Sequence, residues 1–148
     1  MAFLAGDILT AQRINRLQPK SYPAIKSSGN VAASQSAVDV PGLAQAFTTE
    51  TNGATVDVWW FVDMLNGTTP PLASVQGSTR AFLDSVTGSD EFTVWTQVTD
   101  RGRGQIGNVW TFTVPTAGAH SIKIVATTPA NMTINQYSSL KITVNEVV

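Results

Sequence analysis

The sequence predicts an all-β fold, an antiparallel β-sandwich with a short N-terminal arm, and its strand spacing admits a jelly roll. Three observations carry this expectation. Apolar and polar residues alternate with period two in run after run, as in Trp110, Phe112 and Val114 against Thr111 and Thr113; that is the pattern of strands with one buried face. Turn residues punctuate the runs at Asn52-Gly53, Asn66-Gly67, Pro70-Pro71, Gly88-Ser89-Asp90 and Pro129-Ala130-Asn131, a spacing that gives about seven to nine strands. Helical periodicity is confined to the stretch before Pro19.

Residues 1–30 read as the arm and 31–148 as the sandwich. In the arm, Thr10 can cap a short helix that puts Ile14 and Leu17 on one side, with Arg13 and Arg16 nearby, and Pro19 stops it. So short a helix needs something to pack against. It either folds back on its own domain or orders against a partner. Lys20 to Asn30, with Pro23 inside it, reads as an extended connector. Val31 to Asp39 has small side chains and suits an irregular or edge strand ended by Pro41-Gly42; Leu43 to Thr51 is a second strand.

Val56 to Met64 is a stronger strand. Val56, Val58, Trp60 and Val62 share one face and Asp57, Trp59, Phe61 and Asp63 the other. Aromatics on both faces imply partial cover on each side, by a loop or by another subunit. Leu72 to Gln76 suits a short strand, Ser78 to Val86 either a strand or a turn of helix, and Glu91 to Thr99 a strand. Asp100 to Gly104 is expected to be an exposed polar loop. Gln105 to Pro115 and Ala119 to Thr128 are expected to pair as an antiparallel hairpin, since Ile122, Ile124 and Ala126 repeat the alternation beyond Pro115–Ala119. Leu140, Ile142 and Val144 mark a last strand, held in a sheet.

A chain of 148 residues suits one domain with a real core. Net charge is −1, and the positive residues at the start, Arg13, Arg16, Lys20 and Lys26, are too few to indicate nucleic acid. There is no cysteine, hence no disulfide or thiolate cluster. No apolar run approaches the roughly 20 residues of a membrane span. Phe3 to Leu9 is interrupted by Asp7 with no basic residue before it, a poor signal peptide, so export by that route is not expected. Asn66-Gly67-Thr68 and Asn131-Met132-Thr133 are accordingly turn residues, not glycosylation sites.

Little in the chain points to catalysis, metal binding or a cofactor. His120 is the only histidine and reads as a lone surface imidazole. Asp57 and Asp63 are about 20 Å apart on an extended strand, too far for paired carboxylates at roughly 5–9.5 Å. Gly102-x-Gly104 lacks the context of a nucleotide loop, and Asp84, Asp90, Glu91 and Asp100 lack EF-hand spacing. Among the tryptophans, alternation sends Trp60 and Trp110 to the core. Trp59 and Trp95 are left for a subunit interface or for stacking on a sugar or receptor.

Phe3, Gly6, Leu9, Thr10, Ala11 and Asn15 form a Phe-x-x-Gly-x-x-Leu-Thr-Ala-x-x-x-Asn pattern that resembles the opening of tailed-bacteriophage virion proteins. Trp110-x-Phe112-x-Val114-Pro115 and the closing Ser139 to Val144 resemble the β domains of phage tail and head-accessory proteins, and trimeric jelly rolls more broadly. The resemblance implies a non-enzymatic virion component, a capsid decoration or a tail or fibre accessory, assembled in the host cytoplasm. Its partners would be the major capsid protein or a tail component, and copies of itself in a homotrimer. Phe3, Leu9, Ile14 and Leu17, with Arg13 and Arg16, would then anchor the arm, and Trp59 and Phe61 would lie in the subunit interface. The alternative is a module that binds carbohydrate or a host receptor, with Trp59 and Trp95 meeting a surface glycan.

Overall fold

A computed structural model describes residues 11–33, 35–66, 75–96, 103–128 and 132–147. One helix, α1 (Ala11–Leu17), precedes β1 (Lys20–Ser21), β2 (Ile25–Lys26), β3 (Gln35–Thr49), β4 (Ala54–Asn66), β5 (Val75–Leu83), β6 (Thr87–Gly88), β7 (Phe92–Thr96), β8 (Arg103–Val114), β9 (Gly118–Thr128), β10 (Met132–Ile134) and β11 (Ser139–Asn145). These strands form two antiparallel sheets. In the first, β8 pairs with β4 from Ala54↔Val114 to Leu65↔Arg103. β11 and β10 share the other side of β4, while β1 and β2 share the outer side of β11. The second sheet runs β3, β9, β5, with β7 and β6 sharing the far side of β5. Most connections cross between the sheets, and the resulting order is that of a jelly roll.

Alternation decides what enters the core, because successive side chains on a strand face opposite ways. β4 contributes Val56, Val58, Trp60, Val62 and Met64, β8 Phe112 and Val114, and β11 Leu140, Ile142 and Val144. From the facing sheet come Leu43, Phe47, Ala81, Leu83, Ile122, Ile124 and Ala126. Trp60 donates its indole N–H to Thr79 Oγ1 at 3.1 Å, the partner a buried indole needs. Trp110, expected in the core, is only partly buried against it, beside Phe92 and Phe112.

Several local expectations are corrected by pairing. β8 and β9 do not form a hairpin: β8 lies against β4 in one sheet, β9 between β3 and β5 in the other. Pro115, Thr116 and Ala117 bridge the sheets, held by Thr49 Oγ1 donating to Thr116 O and by Ala117 N–H donating to Asn52 Oδ1. Two strands that bury their apolar faces toward each other across a sandwich show the same alternation as two that pair edge to edge. β3 is one strand that continues through Pro41-Gly42, with its register to β9 slipping between Asp39 and Ala44. The irregularity accommodates the N–H that Pro41 lacks. Gly42 has φ +77° there, and a Cβ on it would sit 2.6 Å from Ser28 N.

Ser78 to Leu83 is strand, and Asp84 and Ser85, at φ 50° and 61°, turn the chain back into β6. The segment expected to connect arm and sandwich is itself a sheet edge: Lys20↔Val144, Ser21↔Thr143, Ile25↔Leu140 and Lys26↔Ser139 pair with β11. Tyr22 and Ile25 pack against the core. Asp63, expected on the outer polar face, is completely buried. Asn135 Nδ2 donates to its Oδ2 at 3.1 Å and its own N–H donates to Ser138 Oγ. Residues 135–138 cover that end of β4. The expected strand 72–76 is described from Val75 onward, as part of β5, and 72–74 lie outside the described residues. Of the expected polar loop, Asp100, Arg101 and Gly102 lie outside the described residues, whereas Arg103 and Gly104 begin β8.

Candidate functional site

The outer face of the first sheet carries the odd-numbered residues of β4. Cross-strand neighbours stand about 4.5–5.5 Å apart at Cβ, so register alone places Lys141 and Val109 on either side of Trp59. One step along, Ser139 and Gly107 flank Phe61. Trp59 is 38% exposed and Val109 54%. Gly107 has no side chain to fill the space beside Phe61, and a cleft of about 370 Å³ opens there, lined by Trp59, Phe61, Gly107, Asn108, Val109, Ser139 and Lys141. In the other direction, Asp57 is closed off: Thr111 Oγ1 donates to its Oδ1 at 2.6 Å and Asn145 Nδ2 to its Oδ2 at 3.0 Å. Asn108, opposite Trp60, has the core-facing parity of β8, and its Nδ2 is buried there without a hydrogen-bond acceptor among the described residues.

A second cleft, about 190 Å³, lies over the outer face of the other sheet between Arg80, Glu91 and Thr127. Its polar groups are already satisfied internally. Ser78 Oγ donates to the Glu91 carboxylate, Arg80 Nε donates to Ser89 O at 2.9 Å, and the guanidinium lies 5.3 Å from the Phe82 ring centroid. That arrangement braces strands and leaves little for a ligand.

His120 is not a loose surface imidazole. Its side chain is 7% exposed, with Nδ1 2.8 Å from Asp84 Oδ2 and Nε2 2.9 Å from Thr116 O. Both ring nitrogens face acceptors, which only the imidazolium can satisfy by donating twice. The Asp84 bond raises the imidazole above its ordinary pKa, and the Thr116 carbonyl adds to it, against the opposing effect of burial. Burial raises Asp84, but the bonds from His120 and from Ser121 N–H outweigh it and hold the carboxyl below its ordinary value. No hydroxyl or thiol nucleophile is bonded to this pair among the described residues, so it acts as a clamp between the β5–β6 turn and the bridge from β8 to β9. Among the described residues no cluster of three or more His, Asp or Glu side chains forms a metal site.

Of the arm residues singled out, Phe3 and Leu9 lie outside the described residues. Arg13 falls on α1, where Ile14 is 46% and Leu17 43% exposed. Arg16 is engaged within the chain: its Nε lies 3.1 Å from Glu50 Oε2, and Lys20 Nζ is 2.6 Å from the other oxygen. Trp95 falls on β7, opposite Gln76. Sequence reading singled out Trp59 and Phe61 but missed Val109, Ser139 and Lys141. Their own strands show only that Val109 is apolar on the polar parity; their proximity to Trp59 comes from register.

No protein-family model and no curated protein matches the sequence. Solved structures do share its shape. A chain in the structure of infectious bursal disease virus Gt strain superposes with a TM-score of 0.52 at 10% identity, over 85% of this chain and 33% of that one. The Gx strain gives 0.49 at 11%, over 86% and 32%. The CBM36-1 domain of a multidomain xylanase from the hindgut metagenome of Trinervitermes trinervoides gives 0.41 at 12%, over 83% and 96%. The chain thus spans about a third of the virus chains it is similar to. At these identities the likeness to the Gt strain chain establishes the β-sandwich fold alone.

Proposed function

We propose that the chain is a non-enzymatic structural component of a tailed-phage virion, a capsid decoration or tail accessory, attached through its N-terminal arm and projecting its jelly roll as a homotrimer. The observation that carries this reading is the pair of aliphatic side chains, Ile14 and Leu17, left exposed on a helix tied to the sandwich by Arg16–Glu50. The phage-like opening of the sequence and the fold shared with a virus chain support it. Because each side chain is already about half covered, burying the rest of both against a partner supplies about 1–3 kcal/mol before ordering costs, and several copies engaged together multiply the effect. The test adds full-length protein, wild type or Ile14→Asp/Leu17→Asp, to particles lacking this component and counts bound copies after sedimentation. The double variant should remain folded and bind at least about tenfold more weakly; equal binding would move the attachment to the β surface.

The Trp59 cleft favours a second reading, a contact with carbohydrate. An exposed indole bordered by hydrogen-bonding groups suits the apolar face of a sugar ring. Trp59 and Phe61 are also the residues a trimer interface would cover, and the two uses exclude each other. Sedimentation of wild type and Trp59→Ala separates them: an interface role dissociates the variant, a glycan role leaves its mass unchanged.

A further inference from the structure

We infer that the Trp59 cleft takes an acidic sugar, a pyranose bearing a carboxylate, in preference to a neutral one; this rests on the glycan-binding reading of the cleft. The first observation is where the lysines without a carboxylate partner among the described residues stand. Lys20 is bonded to Glu50 and Lys123 to Asp39. The remaining lysines, Lys26 and Lys141, are exposed and make no ion pair or hydrogen bond among the described residues. Both belong to the outer face of the first sheet, on adjacent strands: Lys141 is level with Trp59, and Lys26 is level with Ser139 one row on. Of the two carboxylates on β4, Asp57 already accepts from Thr111 and Asn145, and Asp63 is fully buried.

The second observation is the kind of hydrogen bonding the cleft has left over. Neither the Lys141 ammonium nor the Ser139 hydroxyl has a partner among the described residues. The ammonium can only donate, and the hydroxyl can do so. A ligand that completes them is therefore rich in acceptors and carries negative charge, while the indole of Trp59 receives the C–H face of its ring. A carboxylate on the ring edge meets Lys141 in a charge-assisted bond. An acidic peptide offers the same charge without a flat, semi-apolar ring for the indole.

Calorimetric titration of the full chain tests this with an oligogalacturonate, its methyl ester, the neutral galactose oligomer, sialyllactose and a polyglutamate peptide, each at low and high salt. Either acidic sugar should bind about tenfold or more tightly than the ester and the neutral oligomer, and more weakly at high salt. Lys141→Met should bring the acidic sugars down to the affinity of the neutral oligomer and remove their salt dependence, Lys26→Met should reduce the preference less, and Trp59→Ala should abolish binding of every sugar. Equal binding of acid, ester and neutral sugars overturns the acid preference and leaves the glycan reading standing. If the peptide alone binds, or no probe binds, both are overturned.

Discussion

Replacing His120 with Phe keeps a ring beside Phe47, whose centroid is 5.7 Å from the imidazole, but removes the bonds to Asp84 and Thr116. A hydrogen bond to a charged group contributes about 1.5–3 kcal/mol and a neutral one about 1. Asp84 is 42% exposed, so solvent screening puts its bond at the low end. The loss should be about 2 kcal/mol near pH 5.5, equivalent to roughly 4–8 °C in Tm for a chain of this size. The pH dependence follows from the direction of each shift. His120 is raised, so its contribution is complete below about pH 6.5, the unfolded value, and fades as pH rises through the folded pKa. Asp84 is lowered, so its contribution is present above its unfolded value of 3.8 and disappears as pH falls through the folded one. Wild type and variant should therefore differ most between about pH 4 and 6.5 and less at pH 9, where a neutral imidazole keeps one of its two bonds. Urea denaturation at pH 5.5 and 9 measures both gaps. A gap that is equal at the two pH values, or larger at pH 9, refutes the doubly donating imidazolium.

Gly42→Ala should destabilise by more than about 1 kcal/mol, because φ +77° and a Cβ 2.6 Å from Ser28 N are both unfavourable; an unchanged melting temperature would show that the β3 irregularity relaxes freely. The buried Glu146 carboxylate accepts from Glu50 N–H, Thr51 N–H and Thr51 Oγ1, so Glu146→Ala should cost about 2–4 kcal/mol in urea unfolding, and a loss under 1 kcal/mol would contradict that anchoring role. Ile142→Ala in the core should cost about 2–5 kcal/mol. Trp59→Ala, by contrast, should change monomer stability by less than about 1 kcal/mol; comparable losses would mean that the face assignment of β4 and β11 is wrong.

Local sequence determined which side of each strand faces the core. Val56, Val58, Trp60 and Val62, or Leu140, Ile142 and Val144, reveal their parity without reference to any other segment, because the alternation is a property of the extended backbone. The helix before Pro19 and the outward position of Trp59 were legible for equally local reasons. Partners were not. Trp110 to Val114 and Ile122 to Ala126 look like the two arms of a hairpin, yet they lie in different sheets. Parity is the same in either arrangement, and only closure of the whole sandwich selects between them. The same long-range pairing buried Asp63 under residues 135–138, drew Lys20 to Lys26 into a sheet edge and brought Asp84 and Thr116 to the two nitrogens of His120. It also set Lys141 and Val109 on either side of Trp59, from strands far apart in sequence. A strand's own residues decide what it must hide; the register of its neighbours decides what its exposed face can bind.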